Sequence, residues 1–360
     1  MKSWFATVAQ LAEFETVIDV RSPAEFAADH VPGAINCPVL DDGERARVGT
    51  LYKQVSPFEA RKLGAVLVAR NIARHVEAQF LDRPKSWRPL IYCWRGGQRS
   101  GAFTHVLREI GWAAHRLEGG YKSWRRHVLD TLERLPQRFA LRTVAGPTGS
   151  GKSRLLDALA AEGAQVLHLE ALAEHRGSVL GALPDRPQPS QKMFETRLLQ
   201  ALAGFDAGRP VYVEAESRRI GNVSLPGALF AALLAAPRRL IEADRQSRVD
   251  FLLADYAHLA VPGAETLGKQ LERLRGLQSN EVVARWQALA AAGDFRRLVD
   301  ELLERHYDPL YRRGQARRPQ TAAAAVPVYR LDALTSSRLR AAAKAIVDDD
   351  HAVAPAATSA

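Results

Sequence analysis

Short apolar runs alternate along this chain with longer stretches in which apolar positions recur every three or four residues, the pattern of strands separated by helices. Thr16-Val17-Ile18-Asp19-Val20 predicts a buried strand, and Ser22-Pro23-Ala24-Glu25 predicts a helix start, with serine as cap and proline in the first turn. Ala34-Ile35-Asn36-Cys37-Pro38 reads as a second strand, 57–80 as a long helix and Pro89-Leu90-Ile91-Tyr92 as an apolar strand. A helix over 100–110 and a strand over 114–117 complete a first α/β unit, placed at 1–135. Leu135-Pro136-Gln137 interrupts the helical pattern and marks a linker near 130–138. A second unit, placed at 139–345, opens with the strand Leu141-Arg142-Thr143-Val144-Ala145. Strands near 165–169, 210–215 and 238–242 follow, separated by helical segments. Residues 245–313 read as mainly helical, 327–331 as a last strand and 346–360 as a disordered tail.

Apolar residues make up 47% of the chain and charged residues 25%, a globular rather than a disordered composition. No apolar run approaches the roughly 20 residues that span a bilayer, so no membrane partner is expected and a cytoplasmic location is. With only two cysteines, Cys37 and Cys93, a disulfide framework is implausible, and neither has a Cys or His neighbour at zinc-ligand spacing. The formal charge of +10 points to a polyanionic partner. Many arginines of the 264–313 stretch nevertheless alternate with acids, as on a solvated helix face.

Two loops carry the chemistry. Cys93-Trp94-Arg95-Gly96-Gly97-Gln98-Arg99-Ser100 lies between an apolar strand and a helix, where backbone N–H groups and the helix N-terminus favour a thiolate or a bound anion. Arg95 and Arg99 add positive charge, and Gly96 and Gly97 allow the loop to curl around Gln98. Cys37, within a strand, reads as a packed thiol, Asp19 and Arg21 as an internal ion pair, and His30 as an organiser of the following Pro-Gly turn. The second loop, Gly146-Pro147-Thr148-Gly149-Ser150-Gly151-Lys152-Ser153, fits G-x-x-x-x-G-K-[ST] with a strand before and a helix after it. There Gly146, Gly149, Ser150 and Gly151 would surround a diphosphate, Lys152 would reach its oxygens, and Ser153 would ligate magnesium. Glu214 and Glu216, at the end of the 210–215 strand, are the candidate carboxylate partners of that metal.

The cysteine loop fits C-x-x-G-x-x-R-[ST] of cysteine-dependent phosphatases and also resembles the rhodanese active loop. Asp19-Val20-Arg21-Ser22-Pro23-Ala24-Glu25-Phe26 followed by His30-Val31-Pro32-Gly33-Ala34-Ile35-Asn36 resembles the rhodanese signature, and Tyr92 stands where tyrosine phosphatases carry histidine. The fold class expected is therefore α/β, a rhodanese-like N-terminal domain plus a P-loop NTPase-like domain with a largely helical C-terminal part. Further stretches are distinctive: Val48-Gly49-Thr50-Leu51-Tyr52-Lys53-Gln54, Gly119-Gly120-Tyr121-Lys122, His175-Arg176-Gly177-Ser178, Gln188-Pro189-Ser190-Gln191-Lys192 and Glu214-Ala215-Glu216-Ser217-Arg218-Arg219. Together, from about 13 to 240, the chain resembles the tRNA 2-selenouridine synthase family.

That resemblance implies a transferase that exchanges the sulfur of wobble 2-thiouridine in tRNA for selenium. The sulfur is first alkylated from geranyl diphosphate, and selenophosphate then supplies the selenium. It implies these two co-substrates with magnesium as a candidate metal, no prosthetic group, tRNA as partner and a selenophosphate-producing enzyme as a candidate second partner. Cys93 would carry selenium or assist its delivery. Arg176, Lys192, Arg218 and Arg219, with Lys122 and Arg125 beside Trp124, are candidate contacts to the anticodon arm. Two rival classes stay open at this point: a cysteine-dependent phosphatase, and a P-loop kinase or regulator with a rhodanese-like binding module.

Overall fold

The computed structural model describes residues 4–178, 180–183, 186–257, 265–316 and 326–353. The chain forms two compact units, one of Met1–Leu132 with Pro189–Leu199, the other of Glu133–Gln188 with Gln200–Ala360.

In the first unit the strands are β1 (Phe5–Ala6), β2 (Thr16–Asp19), β3 (Ile35–Asn36), β4 (Pro89–Tyr92) and β5 (His115–Leu117). They form one sheet in the order β1-β5-β4-β2-β3, with every pairing parallel. Each return to the same edge needs a crossover, supplied by helices α1 (Pro23–Ala28), α2 (Asp42–Gln54), α3 (Pro57–Gln79), α4 (Gln98–Glu109) and α5 (Tyr121–Leu132). Local chemistry starts them: Glu25 Oε2 accepts from Ser22 N at 3.4 Å before α1, and Ser56 Oγ accepts from Phe58 N at 3.1 Å before α3. Register places Asp19 beside Tyr92, so the central strands β2 and β4 end together and deliver Arg21 and Cys93 to the same edge of the sheet. Ile18, Ile91, Phe103, Trp87 and Cys37 fill the core beneath.

The second unit repeats the logic. After a short 3₁₀ turn at Leu135–Arg138 come β6 (Leu141–Ala145), α6 (Lys152–Ala161), β7 (Gln165–Leu167), α7 (Leu169–Leu172) and β8 (Val211–Glu214); the helix before β8, α8 (Gln191–Ala203), belongs up to Leu199 to the first unit. The hairpin β9 (Arg219–Ile220) and β10 (Val223–Ser224), then α9 (Gly227–Ala235), β11 (Arg238–Ala243) and α10 (Arg245–Asp255), follow. Helices α11 (Glu265–Glu272), α12 (Asn280–Ala291), α13 (Phe295–Leu302) and α14 (Asp308–Ala316) precede β12 (Val328–Leu331) and α15 (Ser336–Val353). The parallel sheet runs β12-β11-β6-β8-β7, with the phosphate loop leaving its central strand. Leu271, Val283, Trp286 and Leu298 of α11–α13, with Leu274 of the connection after α11, close a separate apolar cluster.

The expected disordered tail from 346 is corrected. Ser336–Val353 is one helix, and residues 354–360 lie outside the described residues. Leu339, Ala342, Ala343 and Ile346 are buried against α6 and the sheet. Asp350 accepts from Tyr212 Oη at 2.7 Å and pairs with Arg239. The helix that the cysteine loop enters begins at Gln98 rather than at 100. Among the described residues, no helix is long and apolar enough to cross a membrane.

Candidate functional site

Cys93 sits one residue beyond β4 and is 3% exposed. Its Sγ lies 3.2 Å from the hydroxyl of Ser100, which also donates to Gly97 O. The loop is clamped from beneath: Tyr121 N and Lys122 N donate to the carbonyls of Cys93 and Trp94 at 2.8 and 3.0 Å. This close passage requires glycine at 120, where a Cβ would lie 2.3 Å from Cys93 O. Among the described residues no group accepts from the backbone N–H groups of Trp94, Arg95, Gly96 or Gly97, so these donors are free to face an anion. Arg95 is exposed. Arg99 is committed to Glu25 at 2.9 Å, and although burial alone would raise the Glu25 pKa, its pairing with Arg99 and Arg45 holds it below the ordinary carboxylate value.

Asp19 and Arg21 form a buried pair, and the guanidinium donates to Asp29 O at 2.6 Å and stacks 3.9 Å from the Tyr121 ring. That pair fixes the sheet edge. Tyr92 Oη accepts from Val31 N, and His30 stacks on Phe26. Cys37 is fully buried, and burial pushes its thiol up to about 12, so it stays protonated and inert.

Segment Pro189–Leu199 belongs to this unit. Glu195 pairs with Arg125, and the Lys192 ammonium lies 5.6 Å from the centre of the Trp94 ring, over the cysteine loop. Of the basic residues expected at tRNA, Arg125 is thus engaged internally, whereas Lys122 and Lys192 are exposed. Trp124 is buried and has no face to offer a base.

In the second unit, the phosphate loop leaves β6 and enters α6 at Lys152, with Gly149 and Gly151 at φ of 78° and 76°. Lys152 Nζ donates to the carbonyls of Gly146 and Pro147 at 3.0 and 3.3 Å. A cavity of about 770 Å³ opens over the loop, lined also by Glu170, Arg176, Glu214, Glu216 and Tyr256. Ser153 Oγ donates to Glu170 Oε2 at 2.8 Å, a partner that lies seventeen residues away and that no motif spacing identifies. Burial, then repulsion from Glu216, raises the Glu170 carboxyl to about 7. Glu214 is buried and raised to about 8 by burial and by Glu170; its Oε2 accepts from Leu169 N at 2.9 Å, while Oε1 has no partner among the described residues.

Hydroxyl and carboxylate oxygens suit magnesium, and the Ser153–Glu170 contact places such a pair at the mouth of the loop. Glu214 lines the same cavity with its Oε2 turned toward Leu169 N. Among the described residues no cluster of three or more His, Cys, Asp or Glu side chains is arranged to hold a metal. Arg176 lines this cavity, paired with Asp255 and stacked 4.6 Å from the Tyr256 ring, rather than lying on an open surface. Arg218 and Arg219 are exposed on and beside the β9–β10 hairpin.

A parallel sheet ending in a glycine-bounded cysteine loop, linked to a second sheet ending in a phosphate loop, defines a rhodanese-like module coupled to a P-loop module. Residues 6–127 match the rhodanese-like domain model, and residues 137–269 match the model of the tRNA 2-selenouridine synthase AAA domain. A tRNA 2-selenouridine synthase of Hydrogenovibrio crunogenus is 34% identical over 84% of this chain and 92% of its own length. The Bdellovibrio bacteriovorus protein of that name is 36% identical over 78% and 73% of the two chains. That of Nitrosomonas europaea is 40% identical over 67% of this chain, and the match spans 63% of the relative, just under two thirds of its length. The chain belongs to the tRNA 2-selenouridine synthase family.

Proposed function

We propose that this chain converts 2-thiouridine at the wobble position of tRNA into 2-selenouridine in two steps, each led by one module. In the first, the thiocarbonyl sulfur attacks C1 of geranyl diphosphate. The C1–O bond breaks, its electron pair leaves with diphosphate, and the base loses its N3 proton. Lys152, the loop N–H groups and Arg176 stabilise the charge that develops on the departing diphosphate. Magnesium held by Ser153 and Glu170 would neutralise part of it.

In the second step selenium of selenophosphate attacks C2, geranylthiolate departs, and water cleaves the Se–P bond to give phosphate. The Cys93 loop offers the free N–H donors for that phosphate group, with the thiol beside it to position the selenophosphate for its attack on C2. Lys192 over Trp94 adds a cation at the same loop.

The observation that carries this reading is the pairing, in one chain, of a large anion cavity around a phosphate loop with a separate cysteine loop whose amides have no acceptor among the described residues. Mass analysis of 2-thiouridine tRNA incubated with enzyme, geranyl diphosphate and selenophosphate tests it. The wild type should yield both S-geranyl and seleno products, and Cys93→Ala should accumulate the S-geranyl intermediate. Loss of geranylation in Cys93→Ala as complete as the loss of selenation would overturn the division of labour.

A further inference from the structure

Beside the phosphate cavity lies a smaller one of about 80 Å³. Leu180, Leu252, Leu253, Leu298, Val299 and Leu303 are among its walls, and almost all of its lining is hydrocarbon. The two spaces share lining residues. Thr148 of the phosphate loop itself, with Ser178, Leu252, Tyr256 and Tyr307, lines both. Polar atoms are therefore gathered at the shared rim and the remainder is apolar, the distribution expected for a ligand with a charged head and a hydrocarbon body.

We propose that this apolar cavity receives the hydrocarbon end of the alkyl diphosphate whose head occupies the phosphate loop. The inference rests on the diphosphate reading of that loop and specifies where its tail goes. A dry apolar cavity of ~150 Å³ admits benzene. A space of 80 Å³ takes the terminal branched unit of an alkyl chain with small side-chain adjustments, while the rest of the chain lies along the rim past Tyr256. A nucleotide base is a poor occupant, because its ring donors and acceptors would be buried without partners against leucines. The wall formed by Phe295, Leu298, Val299, Leu302 and Tyr307 lies beyond residue 269, where the match to the family's AAA-domain model ends. The C-terminal helices thereby acquire a role: they roof a cavity that the P-loop sheet leaves open.

Val299 and Leu253 are only partly buried wall residues, so enlarging either one fills the cavity with little disturbance of the core. The test is equilibrium binding of inorganic diphosphate, geranyl diphosphate and ATP to the full chain, in the wild type, Val299→Phe and Leu253→Phe. The wild type should bind geranyl diphosphate about tenfold or more tighter than inorganic diphosphate, since several buried methylenes separate the two. Both variants should lose that preference while holding inorganic diphosphate within about twofold of wild type, which also shows that they are folded. If the wild type prefers geranyl diphosphate and both variants keep the preference, the tail lies elsewhere and the cavity proposal fails alone. If ATP outcompetes both diphosphates in the wild type, the underlying reading of the phosphate loop fails with it.

Discussion

Glu170 shares its cavity with Glu216 and Lys152, and its carboxyl, raised to about 7, changes charge within the physiological range. Below that pH the group is neutral and can share a hydrogen bond with Ser153. Above it, a second negative charge stands beside any bound diphosphate. Anion affinity should therefore fall as pH rises from 6 to 8. Two charges a few ångströms apart at the effective dielectric of a protein surface interact by about 4 kcal/mol, so a drop of about tenfold is well within reach. Glu170→Gln should flatten the profile measured by titration with geranyl diphosphate in metal-free buffer. The ligand's own ionisation affects both proteins alike, so the difference between the two curves isolates this carboxyl; identical slopes would remove Glu170 from the site.

At the scale of elements, the strand–loop–helix pieces were legible because their signals are local. Cysteine or lysine with glycines at fixed offsets, an apolar run before and a capped helix after, specify both loops within about ten residues. Glu170 was missed because it reaches Ser153 from α7, which follows the edge strand β7 two places from β6 in the sheet, although its place as the first acidic residue after β7 was a usable clue. The recruitment of Pro189–Leu199 to the first unit left no local trace, since it depends on Arg125 meeting Glu195 across seventy residues of sequence.

The C-terminal helix carried a trace that alanine-rich composition obscured: Leu339, Ala342, Ala343 and Ile346 fall at i, i+3, i+4 and i+7, one face of a helix. Small residues there let α15 lie close on α6. Ile346→Ala should cost about 2–5 kcal/mol in urea unfolding of the second unit, because it empties a fully buried site. A cost below about 0.5 kcal/mol would mean that the helix does not pack there.

For the whole molecule, the proposed division of one reaction between two separate anion sites predicts how mixed variants behave. Lys152 contacts its own loop carbonyls and lines the phosphate cavity, whereas Cys93 lies on the other sheet. Replacing one leaves the second site's residues in place, so the defects differ in kind. Lys152→Ala should bind geranyl diphosphate at least about tenfold more weakly, having lost a charge-assisted contact, and make little S-geranyl tRNA. Supplied with S-geranyl tRNA prepared in advance, it should still form 2-selenouridine at a rate near wild type. Cys93→Ala should do the reverse, and a mixture of the two variants on unmodified 2-thiouridine tRNA should recover selenation, because the S-alkylated base made by one can be rebound by the other. If Lys152→Ala cannot use the prepared intermediate, the phosphate loop also serves the selenium step. The +10 charge of the chain favours such rebinding, since association with a polyanion is electrostatically steered and weakens with added salt. Recovery in the mixture should accordingly decline between about 50 and 200 mM salt, and if a single protein keeps its tRNA between the two proposed steps its own reaction should decline less steeply.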